Sequence, residues 1–241
     1  MKIYICLLKL CDFLTFSSTI GFATIGGVSY TVYKPQPYIH NYALMYGFSG
    51  LLHVSLASPA KEIREIDYRF LNDIERKIYV YPARPRKLVI KRMLLNIKGE
   101  GLVETQLRPK SIYPWHVAHV YFGPGSVFET VLLVFDDSFK IPRNIRIGVK
   151  RQGVFTVECR EAIVKNLVNG FTDPVNLGDI LKSSMNPDSY VVLLSTRTRR
   201  RNVPYSNVIV KAYYKEPRIH LLSTSIDGRE VEFRVPLLSV K

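Results

Sequence analysis

Cysteine is scarce. Cys6, Cys11 and Cys159 are the only three in 241 residues, and none forms a C-x-x-C pair. An odd, sparse set of this kind argues against a disulfide framework and against a zinc site, and it fits a reducing cytoplasm. Acid is also short: 20 Asp and Glu stand against 34 Lys and Arg, a formal charge of +14. That surplus speaks of a polyanionic partner rather than of a fold. Long apolar runs are missing too. Met1-Lys2 ahead of Ile3–Leu8 has the outline of a signal peptide, but Lys9 and Asp12 interrupt it early and no small-residue cleavage site follows. Residues 13–33 carry no charge, yet Ser, Thr and Gly take too many of the positions for a membrane span. The expectation is a buried strand and a loop, with no membrane contact.

Recognisable catalytic frames are lacking. The chain has no G-x-S-x-G, no P-loop and no paired carboxylates in a known setting. Gly123-Pro124-Gly125-Ser126 is too short and proline-bound for a nucleotide fingerprint. His116 and His119 lie three apart in a strand-like stretch with no Cys or carboxylate at ligand spacing. No cofactor and no metal are expected.

What is present begins with an apolar run at residues 3–10, suited to a central strand buried on both faces. A loop over 15–27 leads to Pro35 and Pro37, which hold the chain extended. Ile39, Tyr42, Leu44, Tyr46, Phe48 and Leu51 then recur at helical spacing, with His40 or Asn41 placed as a cap and Gly50 near the far end. Strand, loop and helix in that order are how a ferredoxin-like βαβ half begins. Residues 61–77 read as a solvated mixed-charge stretch and 78–81 as a second strand, broken by Pro82 and Pro85.

Strand-like runs at 87–97, 102–107 and 112–122 suggest an inserted β-rich arm over 84–122. Further strands are expected at 127–135, 145–149 and 153–158, with a short helix over 161–169. From about 171 to 241 the pattern is β-rich: strands at 190–195, 207–213, 218–226 and 230–235, the last two meeting at Asp227-Gly228, a strong hairpin signal. The predicted class is α+β, one domain with a ferredoxin-like, RNA-recognition-motif-like core, an arm or thumb, and a β-rich C-terminal part.

The charge is segregated. Residues 82–122 hold eight basic and two acidic side chains, residues 140–165 seven and two, and residues 197–218 seven and one. Solvated faces usually mix signs, so three blocks of one sign favour a tracked polyanion. The first block sets Arg84, Arg86, Lys87, Lys91 and Arg92 in the same arm as Tyr113 and Trp115: cations for phosphates, rings for bases. The second holds Arg143, Arg146, Lys150 and Arg151, and the third Arg197, Arg199 and Arg200 with Tyr205 nearby.

The string Pro37-Tyr38-Ile39-His40-Asn41-Tyr42-Ala43-Leu44 resembles the signature helix of the Cas-five-like (Csc-one) subunits of type I-D CRISPR surveillance complexes, members of the RAMP superfamily. Further strings resemble that family in the same order: Ile78–Arg84 its strand-to-arm junction, Phe122–Phe128 its Gly-Ser turn, Ile141–Gly148 its basic segment, and Asp173–Leu177 the start of its last third. The resemblance implies a non-catalytic subunit that grips the 5′ handle of a CRISPR RNA and caps one end of a row of Cas-seven-like backbone subunits. The large Cas-ten-like subunit, and the duplex flanking a DNA target, are the other partners it suggests. His40 and Asn41 would then serve either as a cap or as a contact to the RNA-bearing loop. The competing reading is a metal-independent RNA endonuclease processing guide precursors, with His40 or His53 as its general acid or base. A DNA-binding regulator has no helix-turn-helix to support it.

Overall fold

The computed structural model describes residues 1–14, 20–25, 28–33, 36–50, 65–66, 70–96, 116–148, 153–196, 199–200 and 202–238, with 20–33, 65–66, 92–96, 116–119 and 199 as backbone only. The N-terminal portion supplies β1 (Lys2–Leu10), β2 (Ile20–Ile25), β3 (Val28–Tyr33), α1 (Asn41–Ser49), β4 (Glu65–Ile66), α2 (Leu71–Lys77) and β5 (Ile78–Val80). Next come β6 (Arg84–Lys87), β7 (Ile90–Asn96), β8 (His116–Phe122), β9 (Val127–Val134), β10 (Asn144–Ile147) and β11 (Gly153–Glu161). The C-terminal portion holds β12 (Ile163–Phe171), β13 (Val175–Asn176), α3 (Leu177–Lys182), β14 (Ser189–Ser195), β15 (Arg199–Arg200), β16 (Val208–Ile226) and β17 (Arg229–Val235). Strand dominates and the described helices are short, so the chain is more β than the expected α+β balance.

The apolar run at the start is the centre of the molecule. β1 pairs antiparallel with β11 on one side and β9 on the other, in a sheet ordered β10-β11-β1-β9-β5 with β6 also on β9. Residues 3–10 of β1 are buried on both faces except Tyr4 and Lys9, which are half-buried, as a continuous apolar strand demands. Phe128 and Glu129 are consecutive and therefore project from opposite faces. On the Phe128 side, Phe122, Phe128 and Phe155 pack edge to face, with centroids 5.6 and 6.0 Å apart. Helix α1 closes this side against Ile145 and Ile147, so tightly that a Cβ on Gly47 would sit 2.8 Å from Ile147 Cγ2. On the Glu129 side the C-terminal sheet covers the strands.

That second sheet is built on β16, 19 residues long, with β12 and β13 along one edge and β14 and β17 along the other. The sequence suggests two strands here, separated by Pro217. The ladder to β12 slips between Val168 and Gly170, opposite Ile219 and Tyr214, so the proline lies where pairing is already broken. Asp227 and Gly228 turn the chain at φ 53° and 68° into β17, as the Asp-Gly pair predicts.

Three other expectations change. The helix expected over 161–169 is strand, because β-branched Ile163, Val164 and Val168 find a long partner in β16. The stretch at 61–77 ends in a helix, α2, whose Leu71 and Ile74 are buried. Part of the loop over 15–27 is the hairpin β2–β3, whose second strand joins β8 and β7 in a four-stranded sheet. The arm is therefore built from two separate parts of the chain, and β6, at its expected start, belongs to the central sheet. Cys6 and Cys159, 153 residues apart, stand directly opposite each other in β1 and β11 and are disulfide-bonded, while Cys11 is free and exposed. Strand register, which no cysteine spacing reveals, gives one cross-strand disulfide where the sparse, odd count argues against a disulfide framework. No helix among the described residues is long and apolar enough to cross a membrane.

Candidate nucleic-acid interface

The residues first in line as a site, His40 and Asn41, are bonded into the fold, the first half-buried and the second buried. His40 is the N-cap of α1: its Nδ1 accepts the Tyr42 N–H at 3.3 Å, and its Nε2 lies 3.1 Å from the Ser206 carbonyl, so the proton sits on Nε2. Burial pushes its pKa down to about 4. Asn41 is fully buried; its Nδ2 donates to Asp179 at 2.7 Å and to Tyr79 Oη at 3.3 Å, and its Oδ1 accepts from Asn176 at 2.9 Å. Tyr42 and Tyr79 each donate to Asp179 at 2.8 Å. Burial raises the Asp179 carboxyl above its ordinary range despite these donors. Three consecutive residues of the signature string thus bolt α1 to α3 and to the 202–206 loop.

Three of the predicted arginines are likewise occupied. Arg200 is buried; its guanidinium reaches Glu75 at 2.5 Å, bonds Asn72, and lies 5.8 Å from the Tyr42 ring centre. Arg84 pairs with Glu129 at 3.0 Å and Asp173 at 2.5 Å, and lies 3.9 Å over the Phe233 ring. Arg86 is ion-paired to Glu129 at 3.3 Å. Arg84 ties the central sheet to the C-terminal one through Asp173 and the Glu232 carbonyl, while Arg200 ties β15 to α2.

Of the predicted site cations whose side chains are described, the other four pair with no described acid. Lys87, Lys91, Arg143 and Arg146 are all exposed. Two blocks far apart in sequence converge here through the end of β1. Leu14 exchanges both backbone hydrogen bonds with Phe122, at 2.9 and 3.1 Å, while Cys11 N–H donates to Val154 at 2.8 Å. Lys91 stands across from Tyr121, and Arg146 across from Val154. Because Leu14, Phe122 and Phe155 face the core, their neighbours Phe13, Tyr121 and Val154 face the other way, and Lys91 and Arg146 go with them. Lys87, opposite Val127, shares that side. The cover of the C-terminal sheet reaches Lys9, which Asp227 and Glu158 pair at 3.1 and 3.2 Å.

The base of the arm is rigid. Ser126 Oγ accepts the Val89 N–H at 3.0 Å and donates to Gly123 O at 2.9 Å, pinning the Gly-Pro-Gly-Ser turn to the β6–β7 junction. The third block does not join the other two. Its described member Arg200 belongs to the α1–α2 end of the core, where β5 pairs Tyr79 with Leu133, six residues along β9 from Val127 and so about 20 Å away. Arg92 and Arg199 are described as backbone only; Tyr113, Trp115, Lys150, Arg151 and Arg197 lie outside the described residues, as does His53. Phe13, adjoining Tyr121, was not legible as a site residue, since nothing in its neighbourhood but an exposed position on a bridge distinguishes it. Among the described residues no three His, Cys, Asp or Glu side chains gather as a metal site.

Strand-rich, basic and organised around one bolted helix, the chain falls in the Cas5 class of CRISPR-associated proteins. It belongs to the type I-D Cas5/Csc1 family, whose model, described as type I-D CRISPR-associated protein Cas5/Csc1, matches residues 1–212. The resemblance seen in the sequence is thereby established, and the chain is a CRISPR effector subunit. Among solved structures, a chain of a type IV-B CRISPR complex superposes with a TM-score of 0.34 at 8% identity, over 66% of this chain and 90% of that one. A chain of a type III-B Cmr-beta complex bound to cognate target RNA and AMPPnP gives 0.40 at 11% identity, over 87% and 84%. No curated protein matches the chain.

Proposed function

We propose that this subunit binds the 5′ handle of a CRISPR RNA, caps one end of a type I-D surveillance complex, and does not itself cut RNA. The observation that carries the reading is the convergence of Lys87, Lys91 and Arg146, none paired with a described acid, on one side of the arm base beside two aromatic rings. Unpaired cations at hydrogen-bonded strand positions can neutralise phosphates without giving up internal partners, and adjacent rings suit unstacked bases. The strand order β11-β1-β9-β5, antiparallel throughout, with α1 and α2 between β1 and β5, is read as a ferredoxin-like core in which β10 stands where a second crossover helix would be. Cas-seven-like backbone subunits and a Cas-ten-like large subunit are the partners this reading names, in the cytoplasm.

An endonuclease needs an accessible acid or base. His40 is half-buried with both ring nitrogens engaged, one by the Tyr42 N–H and the other by the Ser206 carbonyl, which supports binding over cleavage. The test is electrostatic. Neutralising Lys87, Lys91 and Arg146 together should lower affinity for single-stranded handle RNA and reduce the log–log salt slope by about 2, at roughly 0.7 per phosphate contact. An unchanged slope removes these residues from the phosphates. Specific cleavage of a precursor hairpin in EDTA would replace the binding role with a nuclease.

A further inference from the structure

We propose that Phe13 and Tyr121 form a seat on which one unpaired nucleobase stacks at the base of the arm; the inference rests on the RNA-binding reading above. Phe13 is 43% exposed although its neighbour Leu14 is 0% and Phe122, Leu14's bridge partner, 1% exposed. A phenylalanine has no polar atom to carry into water, so such exposure forgoes the burial its neighbours obtain. Flexibility does not account for it. The Phe13 N–H is held by Asp12 Oδ1 at 2.7 Å, the Cys11 N–H bonds the Val154 carbonyl just before it, and the double hydrogen bond between Leu14 and Phe122 fixes the chain just after it.

The two rings meet edge to face, with centroids 4.9 Å apart and planes at 88°. Perpendicular rings brace one another by their edges and do not stack, so a flat face remains for a third ring. Charge completes the fit. Lys91 lies across the strand from Tyr121, its stem packed where a Cβ on Gly123 would be 3.2 Å away, and Arg146 and Lys87 lie on the same side of the sheet. Asp12 is an acid on the same stretch, with one oxygen turned back to the backbone. The row of cations would hold phosphates on either side of the ring that rests on Phe13, which describes a single strand with its bases turned outward. A π-face accepts any base, so the seat should fix the path of the strand without selecting the nucleotide.

The experiment measures affinity of the full chain for fluorescein-labelled single-stranded oligouridine and oligoadenine RNAs, as a function of salt. Variants are Phe13→Ala, Phe13→Trp and the triple cation variant, with thermal unfolding of each. Phe13→Ala should weaken both RNAs roughly 5- to 150-fold, leave the salt slope unchanged and keep the melting temperature near that of the parent. Phe13→Trp should restore binding. The cation variant should change the slope. Unchanged affinity in Phe13→Ala beside a flattened slope in the cation variant would overturn the seat and leave the RNA reading standing. Loss that Trp does not restore would likewise overturn it. A parent chain without salt-dependent affinity for either RNA would overturn both.

Discussion

His40 can take up a proton only by giving up its place. In the fold its Nδ1 accepts from the Tyr42 N–H and its Nε2–H donates to Ser206, so a second ring proton would face a donor inside the protein. The folded pKa of about 4, against an ordinary 6.5, means that between those values the unfolded chain binds a proton that the folded chain refuses. Stability is therefore full above pH 6.5 and is lost as the pH falls towards 4. At 1.36 kcal/mol per pH unit the loss comes to about 3 kcal/mol. In His40→Asn the cap acceptor remains but does not titrate. The variant should be about 1 kcal/mol less stable than the parent at pH 7, for want of the Ser206 bond. The gap should close and reverse by about pH 4.5. Asp179, raised by burial, has the opposite dependence, holding its proton more firmly when folded, but it is present in both proteins and cancels in the difference. Urea unfolding followed by far-ultraviolet circular dichroism, at constant ionic strength from pH 4 to 7.5, reads the difference directly. Parallel stability curves would refute the argument. RNA binding per folded molecule at pH 7 should be unaffected; selective loss of binding would return His40 to the interface.

Arg84→Ala should destabilise the chain by about 2–3 kcal/mol, less than a fully buried pair would cost because the side chain is 26% exposed, since it takes the cation from Asp173 and leaves Glu129 with Arg86 alone. Lys87→Ala, three residues on and exposed, should move stability by no more than about 0.5 kcal/mol; equal thermal shifts in the two would show that the Arg84 pairs hold nothing. Gly178→Ala would place a Cβ 2.6 Å from Pro204 O and 2.7 Å from Ser206 N, both backbone atoms, and should cost about 1–3 kcal/mol in denaturant unfolding. A neutral result there would show that the 202–206 loop lifts freely from α3.

The sequence by itself determined the local elements whose causes are local. The apolar run at 3–10 could only be a strand buried on both faces, the spacing from Ile39 could only bury one side of a helix, and Asp227-Gly228 could only turn. It also carried the family, through the order of its strings. Tertiary structure decided which cations are free. Arg84, Arg86 and Arg200 look the same in sequence as Lys91 and Arg146, but the first three meet acids brought from 43 to 125 residues away, and no window along the chain contains those partners. It decided likewise that residues 163–171 pair with β16 rather than coil, and that Cys6 meets Cys159. The signature string shows both sides of this division. Its helix follows from spacing alone, while His40 is half-buried and Asn41 buried because α3 and the 202–206 loop, about 135 to 166 residues further along, fold back onto the helix and supply the groups they bond.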